Sequence, residues 1–338
     1  MKKITNYLAV FITVIYMNNL CEINNEKEDK MSYTNEIEKF KNYFANKNIL
    51  VTGGAGFIGS HLVETLVELG AKVKVLDDLS TGKLENLKTV IDKIEFLRAS
   101  IIDENACINA TKNISFCFHL AACTSVPLCE QDPQTCNNVN VNGTLNILNA
   151  CKINNVKVLI FSSSAAVYGN KNEACCENDA CEPTSFYGIS KLMGEMYCNK
   201  FKGDKFKTII LRYFNVHGPR QETEGQFAPV VARFQNLMEK NLPIKIFGDG
   251  KQKRDFIHVI DVVNANLKLC YLANDLEDNV FNIGTGKSIN LFELIDQLKL
   301  TYPNYNRITE FESSRSGDIY NSVAKCDRYK SLIFDNFR

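Results

Sequence analysis

The 338-residue sequence predicts an α/β protein: a doubly wound parallel sheet followed by a smaller C-terminal α/β lobe. Three observations predict it. Short apolar runs alternate with helix-length amphipathic stretches over residues 48–214, the rhythm of parallel strands joined by crossover helices. Glycines recur at Gly53, Gly56 and Gly59, where the first strand passes into the first helix. An acid, Asp77, stands at the end of the second strand, about 20 residues further on.

In chain order, residues 35–44 read as a short helical lead-in. Residues 48–52 form an apolar strand, 59–69 an amphipathic helix, and 72–76 a second strand with alternating Val and Lys, together a βαβ unit. Further strands are expected at 94–98, 116–120, 156–162 and 207–214, and helices at 139–152 and 187–201. This is the Rossmann-type arrangement, whose ligands lie beyond the carboxyl ends of the strands. After Gly218 the rhythm loosens into short loops and helices, with turns at Gly248-Asp249-Gly250 and Gly284-Thr285-Gly286. The expected division is therefore 1–30 as an N-terminal extension, 31–217 as mainly a dinucleotide-binding domain, and 218–338 as mainly a substrate-covering lobe.

Composition narrows the chemistry. Lys+Arg and Asp+Glu each number 39, so no basic surface exists to drive nucleic-acid binding by counterion release. With 45% hydrophobic and 23% charged residues the chain is neither disordered nor fibrous. Its 13 cysteines are scattered and odd in number, which suits a reducing, cytoplasmic setting. No metal is expected, because no CxxC or HxxxH pair accompanies them among 4 histidines. Residues 1–30 hold an apolar run from Tyr7 to Met17, too short for a stable membrane span but of signal-peptide length. A secretory or organellar address stays open on that ground, as does an extension of no structural role.

The glycines suit a dinucleotide. Gly53 permits the tight turn, Gly56 lets backbone N–H groups approach a pyrophosphate, and Gly59 lets helix and strand pack closely. A carboxylate at Asp77 accepts hydrogen bonds from a ribose diol and repels a 2′-phosphate, favouring NAD over NADP. Asp78 reads as a solvated turn residue. Tyr187 and Lys191 lie four apart, on one helix face. The lysine cation and a positive nicotinamide both favour the phenolate, so the tyrosine pKa is expected to move toward the working range of a base. Ser164, in the run Ser162-Ser163-Ser164 after a central strand, supplies a hydroxyl for the same substrate oxygen.

Taken together, TGGAGFIG, Asp77, His119-Leu120-Ala121-Ala122, Asn140-Val141-Asn142-Gly143-Thr144, the serine run, YxxxK, Leu211 to Val216 and Arg254 to Val259 resemble the extended short-chain dehydrogenase/reductase superfamily. Within it the chain is most similar to NAD-dependent nucleotide-sugar 4-epimerases. The resemblance implies Tyr187 as the base on a sugar 4-hydroxyl, Ser164 sharing that hydrogen bond, and Lys191 holding the nicotinamide ribose. It extends the NAD wall to Phe57, Ile58, Ser100, Ile101, Ala121, Ala122 and Asn140. Asn215, Arg254 and Arg315 match positions that hold the diphosphate, a task suited to arginine forks. A homodimer is the superfamily's usual assembly.

Sibling dehydratases and decarboxylases place acids just after the active-site Ser/Thr, where this chain has Ala165 and Ala166; epimerisation is the better fit. Ser322 matches the family's gatekeeper position, small where an N-acetyl group is admitted, and Ser125-Val126-Pro127 resembles the UDP-N-acetylglucosamine 4-epimerase subgroup. The expected substrates are UDP-GlcNAc/UDP-GalNAc, alongside UDP-Glc/UDP-Gal. A UDP-uronate 4-epimerase, another enzyme of the fold, and a non-catalytic nucleotide-sugar-binding protein are the alternatives. Two departures stand out: Ser100 replaces an acid usual in the family, and Leu128 replaces a basic residue. Relatives also continue through a further helix beyond Arg338, which suggests a truncated or abbreviated last lobe.

Overall fold

The computed structural model describes residues 37–223, 228–313 and 319–334. The extension at 1–30 and Arg315 lie outside the described residues. A first helix, α1 (37–44), inserts Phe40 and Phe44 into the core and stacks Tyr43 on Phe116 with ring centroids 5.2 Å apart. The chain then alternates: β1 (Asn48–Thr52), α2 (Phe57–Glu68), β2 (Lys72–Leu76), β3 (Glu95–Leu97), α3 (Glu104–Ala110) and β4 (Phe116–His119). Two short helices follow, α4 (Val126–Gln131) and α5 (Pro133–Asn137), then α6 (Gly143–Ile153), β5 (Val158–Ser164), α7 (Phe186–Phe201) and β6 (Lys207–Tyr213).

Beyond β6 lie β7 (Asn215–His217), α8 (Val230–Glu239), β8 (Lys245–Phe247), β9 (Lys253–Arg254), β10 (Phe256–His258) and α9 (Val259–Tyr271). The chain closes with β11 (Val280–Ile283), α10 (Leu291–Thr301), β12 (Glu310–Glu312), β13 (Asn321–Ser322) and α11 (Asp327–Phe334).

Seven strands form one parallel sheet in the order β11-β6-β5-β4-β1-β2-β3. Helices cover both faces. On one side Leu62, Val63 and Leu66 of α2 and Val262, Val263 and Leu267 of α9 pack on the sheet; on the other, Cys107 of α3, Ile147 and Leu148 of α6 and Cys198 of α7 do so. Double coverage explains why β5 is buried from Val158 to Ser163 and reads as a continuous run, without alternation. Strand order reverses between β1 and β4, opening the crevice in which such sheets bind ligands. A third core, with Phe234, Ile246, Leu291 and Leu294, joins α8, β8 and α10 in the smaller lobe.

The expected elements are present with shifted ends. β5 starts at Val158, two residues later than predicted, because Asn155 turns the chain at φ 57° and Val156 bonds back to Cys151, and it runs two residues past the predicted end because its ladder with β6 continues to Ser164 opposite Tyr213. Residues Asn138–Asn142 form a π-turn, so α6 starts at Gly143 and not at 139. The loose C-terminal half hides a strand: β11 returns to the main sheet beside β6. Its central Asn282 reads as a break in the sequence, yet it is fully buried and donates to the carbonyls of Cys175 and Lys325.

Candidate active site

At the crevice, the turn after β1 has the geometry its glycines predict. Gly53 has φ +68°, and a Cβ there would meet the backbone nitrogen of Ala121 at 2.7 Å. A Cβ on Gly59 would fall 2.1 Å from the Gly53 carbonyl oxygen, so only glycine lets α2 start this close to β1. The N-terminus of α2 then opens toward partly exposed Gly53, Gly56, Phe57 and Ile58, with Ala121 and Ala122 partly exposed beyond β4. This cradle fits a pyrophosphate on the helix N-terminus.

Asp77 sits beside it, 7% exposed. Its Oδ2 accepts from Ala55 N at 2.9 Å and its Oδ1 from Leu79 N at 2.9 Å, which fixes the carboxylate against the glycine turn. Burial raises its pKa, and those two backbone donors offset part of the rise. Each oxygen keeps a lone pair for a diol. Exposed Asp78 accepts from Ser80 N, and bonds from Ser80 and Ser100 outweigh burial to lower its pKa. Ser100 thus faces an acid of this chain. Ile101, 4% exposed, belongs to the core beneath α6.

The floor of the crevice is a hydrogen-bond chain that the sequence does not announce. Thr52 Oγ1 takes Ala121 N–H at 3.2 Å and meets His119 Nδ1 at 2.7 Å; His119 Nε2 meets Thr144 Oγ1 at 3.0 Å, and Thr144 Oγ1 donates to the Asn140 carbonyl at 2.6 Å. With Thr144 donating onward, the network assigns the proton to Nε2. Burial, aided by the Lys191 charge, pushes the imidazole down to about 3, so it stays neutral. Asn140 is 2% exposed and spends its amide inside the protein: Oδ1 accepts from Cys123 N at 2.8 Å, while Nδ2 donates to Cys123 O at 3.0 Å and Ser190 Oγ at 2.9 Å. It braces the loop after β4 against α7.

Ser164, Tyr187 and Lys191 converge at the carboxyl end of β5. Ser185 caps α7 by accepting Gly188 N–H at 3.1 Å, and α7 lies close on the turn after β5, where a Cβ on Gly188 would stand 2.6 Å from Ala166 O. Tyr187 hydrogen-bonds Ser164. Lys191, 5% exposed, donates Nζ–H to the Ser162 carbonyl at 2.9 Å and lies 5.9 Å from the Tyr187 ring centre. The expected fall in the tyrosine pKa is not what this arrangement produces by itself. Burial pushes Tyr187 up to about 12, against the Ser164 hydrogen bond that lowers it, and burial pushes Lys191 down to about 8. Desolvation outweighs the hydrogen bond because phenolate loses more water than one hydroxyl replaces.

Behind this trio is a buried ion pair that sequence reading missed. Glu195, one turn after Lys191, accepts Arg212 Nε at 2.9 Å and Nη2 at 2.7 Å, and also Ser163 Oγ at 2.5 Å. Arg212 donates further to Tyr168 OH at 2.9 Å. Such a fork satisfies both charges in the interior.

The expected substrate residues Asn215, Arg254 and Ser322 lie beyond β6. Arg254 and Ser322 are register partners of β9 and β13, both half-buried, so two expected substrate residues stand side by side. Arg254 Nη1 donates to the Lys253 and Tyr320 carbonyls at 3.0 and 3.2 Å. Asn215 donates Nδ2–H to the Asp255 carbonyl at 3.2 Å. Asp255, fully buried, ties this region together by accepting from Thr285 N, Thr285 Oγ1, Gly286 N and Ala324 N. Ser125 caps α4 at the near edge.

A parallel sheet with a glycine turn, an acid fixed against it at the end of β2 and a Ser–Tyr–Lys trio defines a dinucleotide-dependent enzyme. The chain belongs to the NAD dependent epimerase/dehydratase family, whose model matches residues 49–284. It is similar to a UDP-glucose 4-epimerase of Mycolicibacterium smegmatis, 39% identical over 290 residues, which are 84% of this chain and 91% of the relative. Among solved structures it is similar to the UDP-N-acetylglucosamine 4-epimerase of Methanobrevibacter ruminantium M1 in complex with UDP-N-acetylmuramic acid, with TM-score 0.80, 35% identity, and 86% and 93% of the two chains covered. The UDP-glucose 4-epimerase of Thermotoga maritima with UDP-glucose gives TM-score 0.78 and 38% identity, covering 84% and 91%. Among the described residues, no helix is long and apolar enough to cross a membrane.

Proposed function

We propose that this chain is a UDP-hexose 4-epimerase, interconverting UDP-GlcNAc with UDP-GalNAc and UDP-Glc with UDP-Gal through a transient 4-keto sugar. The observation that carries this reading is the convergence of Ser164, Tyr187 and Lys191 at the end of β5, followed by Ala165 and Ala166. When bound, NAD supplies a hydride acceptor that returns the hydride, and its positive ring favours phenolate. Tyr187 takes the proton of the sugar 4-hydroxyl and gives it back. Ser164 hydrogen-bonds the same oxygen and orients the phenol. Lys191 holds positive charge near the phenol and would hold the nicotinamide ribose. Alanines at 165 and 166 leave no acid or base for elimination, which favours simple epimerisation.

Asp77 and the turn with Gly53, Gly56 and Gly59 hold the dinucleotide; Arg254, Asn215 and Arg315 hold the diphosphate. The small Ser322 beside Arg254 supports room for an N-acetyl group. Two relatives known as UDP-glucose and UDP-N-acetylglucosamine 4-epimerases support the two sugar pairs. An exposed apolar stripe, Phe186, Ile189 and Met196 on α7 with Leu128 on α4, supports a homodimer. Met196→Glu should then halve the mass seen by light scattering.

A nucleotide-sugar panel, resolved by chromatography without added cofactor, tests the reaction. Turnover of both pairs is expected, and Ser322→Tyr should suppress the N-acetyl pair first. Equal loss on both pairs overturns the gatekeeper role; acceptance of UDP-uronates alone overturns the substrate class.

A further inference from the structure

Three thiols gather beside the catalytic trio. Cys129 Sγ stands 3.6 Å from Cys123 Sγ and 3.8 Å from the Cys123 carbonyl oxygen, while Cys136 Sγ lies 3.7 Å from Ser190 Oγ and 3.5 Å from Asn140 Nδ2. Cys123 is partly exposed, whereas Cys129 and Cys136 are buried. Cys123 and Cys129 are each tied to elements that frame the site. The Cys123 backbone is held on both its N–H and its C=O by Asn140. Cys129 lies on α4, whose Glu130 accepts the Phe186 N–H at 2.8 Å, at the very start of the helix that presents Tyr187.

We propose that Cys123 and Cys129 form a thiol–disulfide modification site, oxidised by small disulfides, whose closure arrests turnover. The proposal goes beyond the epimerase reading and rests on it only for its activity readout. The solvent-facing Cys123 thiolate attacks one sulfur of the small disulfide, and the other sulfur leaves as a thiolate. Cys129 Sγ then attacks Cys123 Sγ, its proton passing to the departing sulfur, which leaves as the second small thiol. Two protein thiols are oxidised, one small disulfide is reduced to two thiols, and the two cysteine protons end on them.

Bond formation brings the sulfurs from 3.6 Å to about 2.05 Å, a contraction of about 1.5 Å. Asn140 holds the Cys123 end, so α4 takes up most of the movement. Glu130 transmits it to the first turn of α7, where Tyr187 must meet both Ser164 and a substrate hydroxyl. Ser125, the cap of α4, shifts with it. A misplacement of this size at reacting atoms lowers rate by about ten- to a hundred-fold.

The test uses the full chain, reduced and then treated with glutathione disulfide. Peptide mapping should find a Cys123–Cys129 link, and turnover should fall by about ten- to a hundred-fold and return with dithiothreitol. Each variant is compared with its own reduced form. Cys123→Ser should keep its turnover under oxidant, Cys129→Ser should stop at a mixed disulfide on Cys123, and Cys176→Ser/Cys181→Ser should respond like the parent. A link mapped elsewhere, an unlinked chain, equal inactivation of Cys123→Ser, or a linked chain with undiminished turnover overturns the proposal. A chain that links yet converts no UDP-sugar even when reduced overturns the epimerase reading instead, since mapping needs no substrate.

Discussion

Replacing Lys191 with methionine should make the protein more stable and less active, and the gain should depend on pH. The ammonium is 5% exposed, and burial lowers its pKa from 10.5 to about 8. At about 1.4 kcal/mol per pKa unit, keeping it charged in the folded state costs about 3 kcal/mol. Methionine is of similar length and carries no charge, but it forfeits the bond from Nζ to the Ser162 carbonyl, worth about 1 kcal/mol. A net gain of about 2 kcal/mol at neutral pH remains.

The sign follows from proton binding. Below pH 8 the lysine is charged in both folded and unfolded chains, and the penalty is complete. Between about 8 and 10.5 the unfolded chain binds more protons than the folded one, so the parent gains stability as pH rises. The variant's advantage should therefore be largest at neutral pH and shrink across that window. Urea midpoints of both proteins, measured in steps from neutral to alkaline pH, read this directly. A variant less stable than the parent at neutral pH, or an advantage that stays constant through the window, refutes the buried-cation argument. Turnover of the variant should fall regardless, because nothing else in the trio carries positive charge toward the phenol.

Tyr187→Phe removes the proton carrier and should lower turnover by about a hundred- to ten-thousand-fold, with NAD affinity measured by calorimetry nearly unchanged. If Asp77 holds the ribose diol as proposed, Asp77→Asn should raise the Kd for NAD by about ten- to a hundred-fold, narrowing the preference over NADP in the same titration. Glu195→Gln leaves the Arg212 guanidinium buried with a neutral partner and should lower stability by about 3–5 kcal/mol, read as an earlier urea midpoint; a change below 1 kcal/mol, about the worth of a surface pair, would mean water reaches the pair.

The parts of the fold readable from sequence are those set by local rules. The β1–α2–β2 unit is predicted almost to the residue because a strand buried on both faces, a glycine turn and an amphipathic helix each leave a periodic mark. Tyr187 and Lys191 are found as a pair because helical spacing alone puts them on one face. Ser164 needed only the knowledge that strand ends carry ligands. β11 was hidden because Asn282 interrupts its apolar run, and what rescues that asparagine comes from residues 107 and 43 positions away.

The same reason separates what was found in the site from what was missed. Glu195 on a helix looks like a solvated charge until Arg212 of β6 is known to fork onto it. Asp255 looks like a surface acid until the turn at Thr285 and Gly286 closes over it. The Tyr187 pKa in the protein alone is hidden for a related cause: the sequence names the neighbouring cation but gives no measure of the water removed, and that loss carries the phenol up to about 12. A buried polar group is tolerable only through a partner distant in sequence. The residues that hold this site in shape are therefore those least visible to any local pattern.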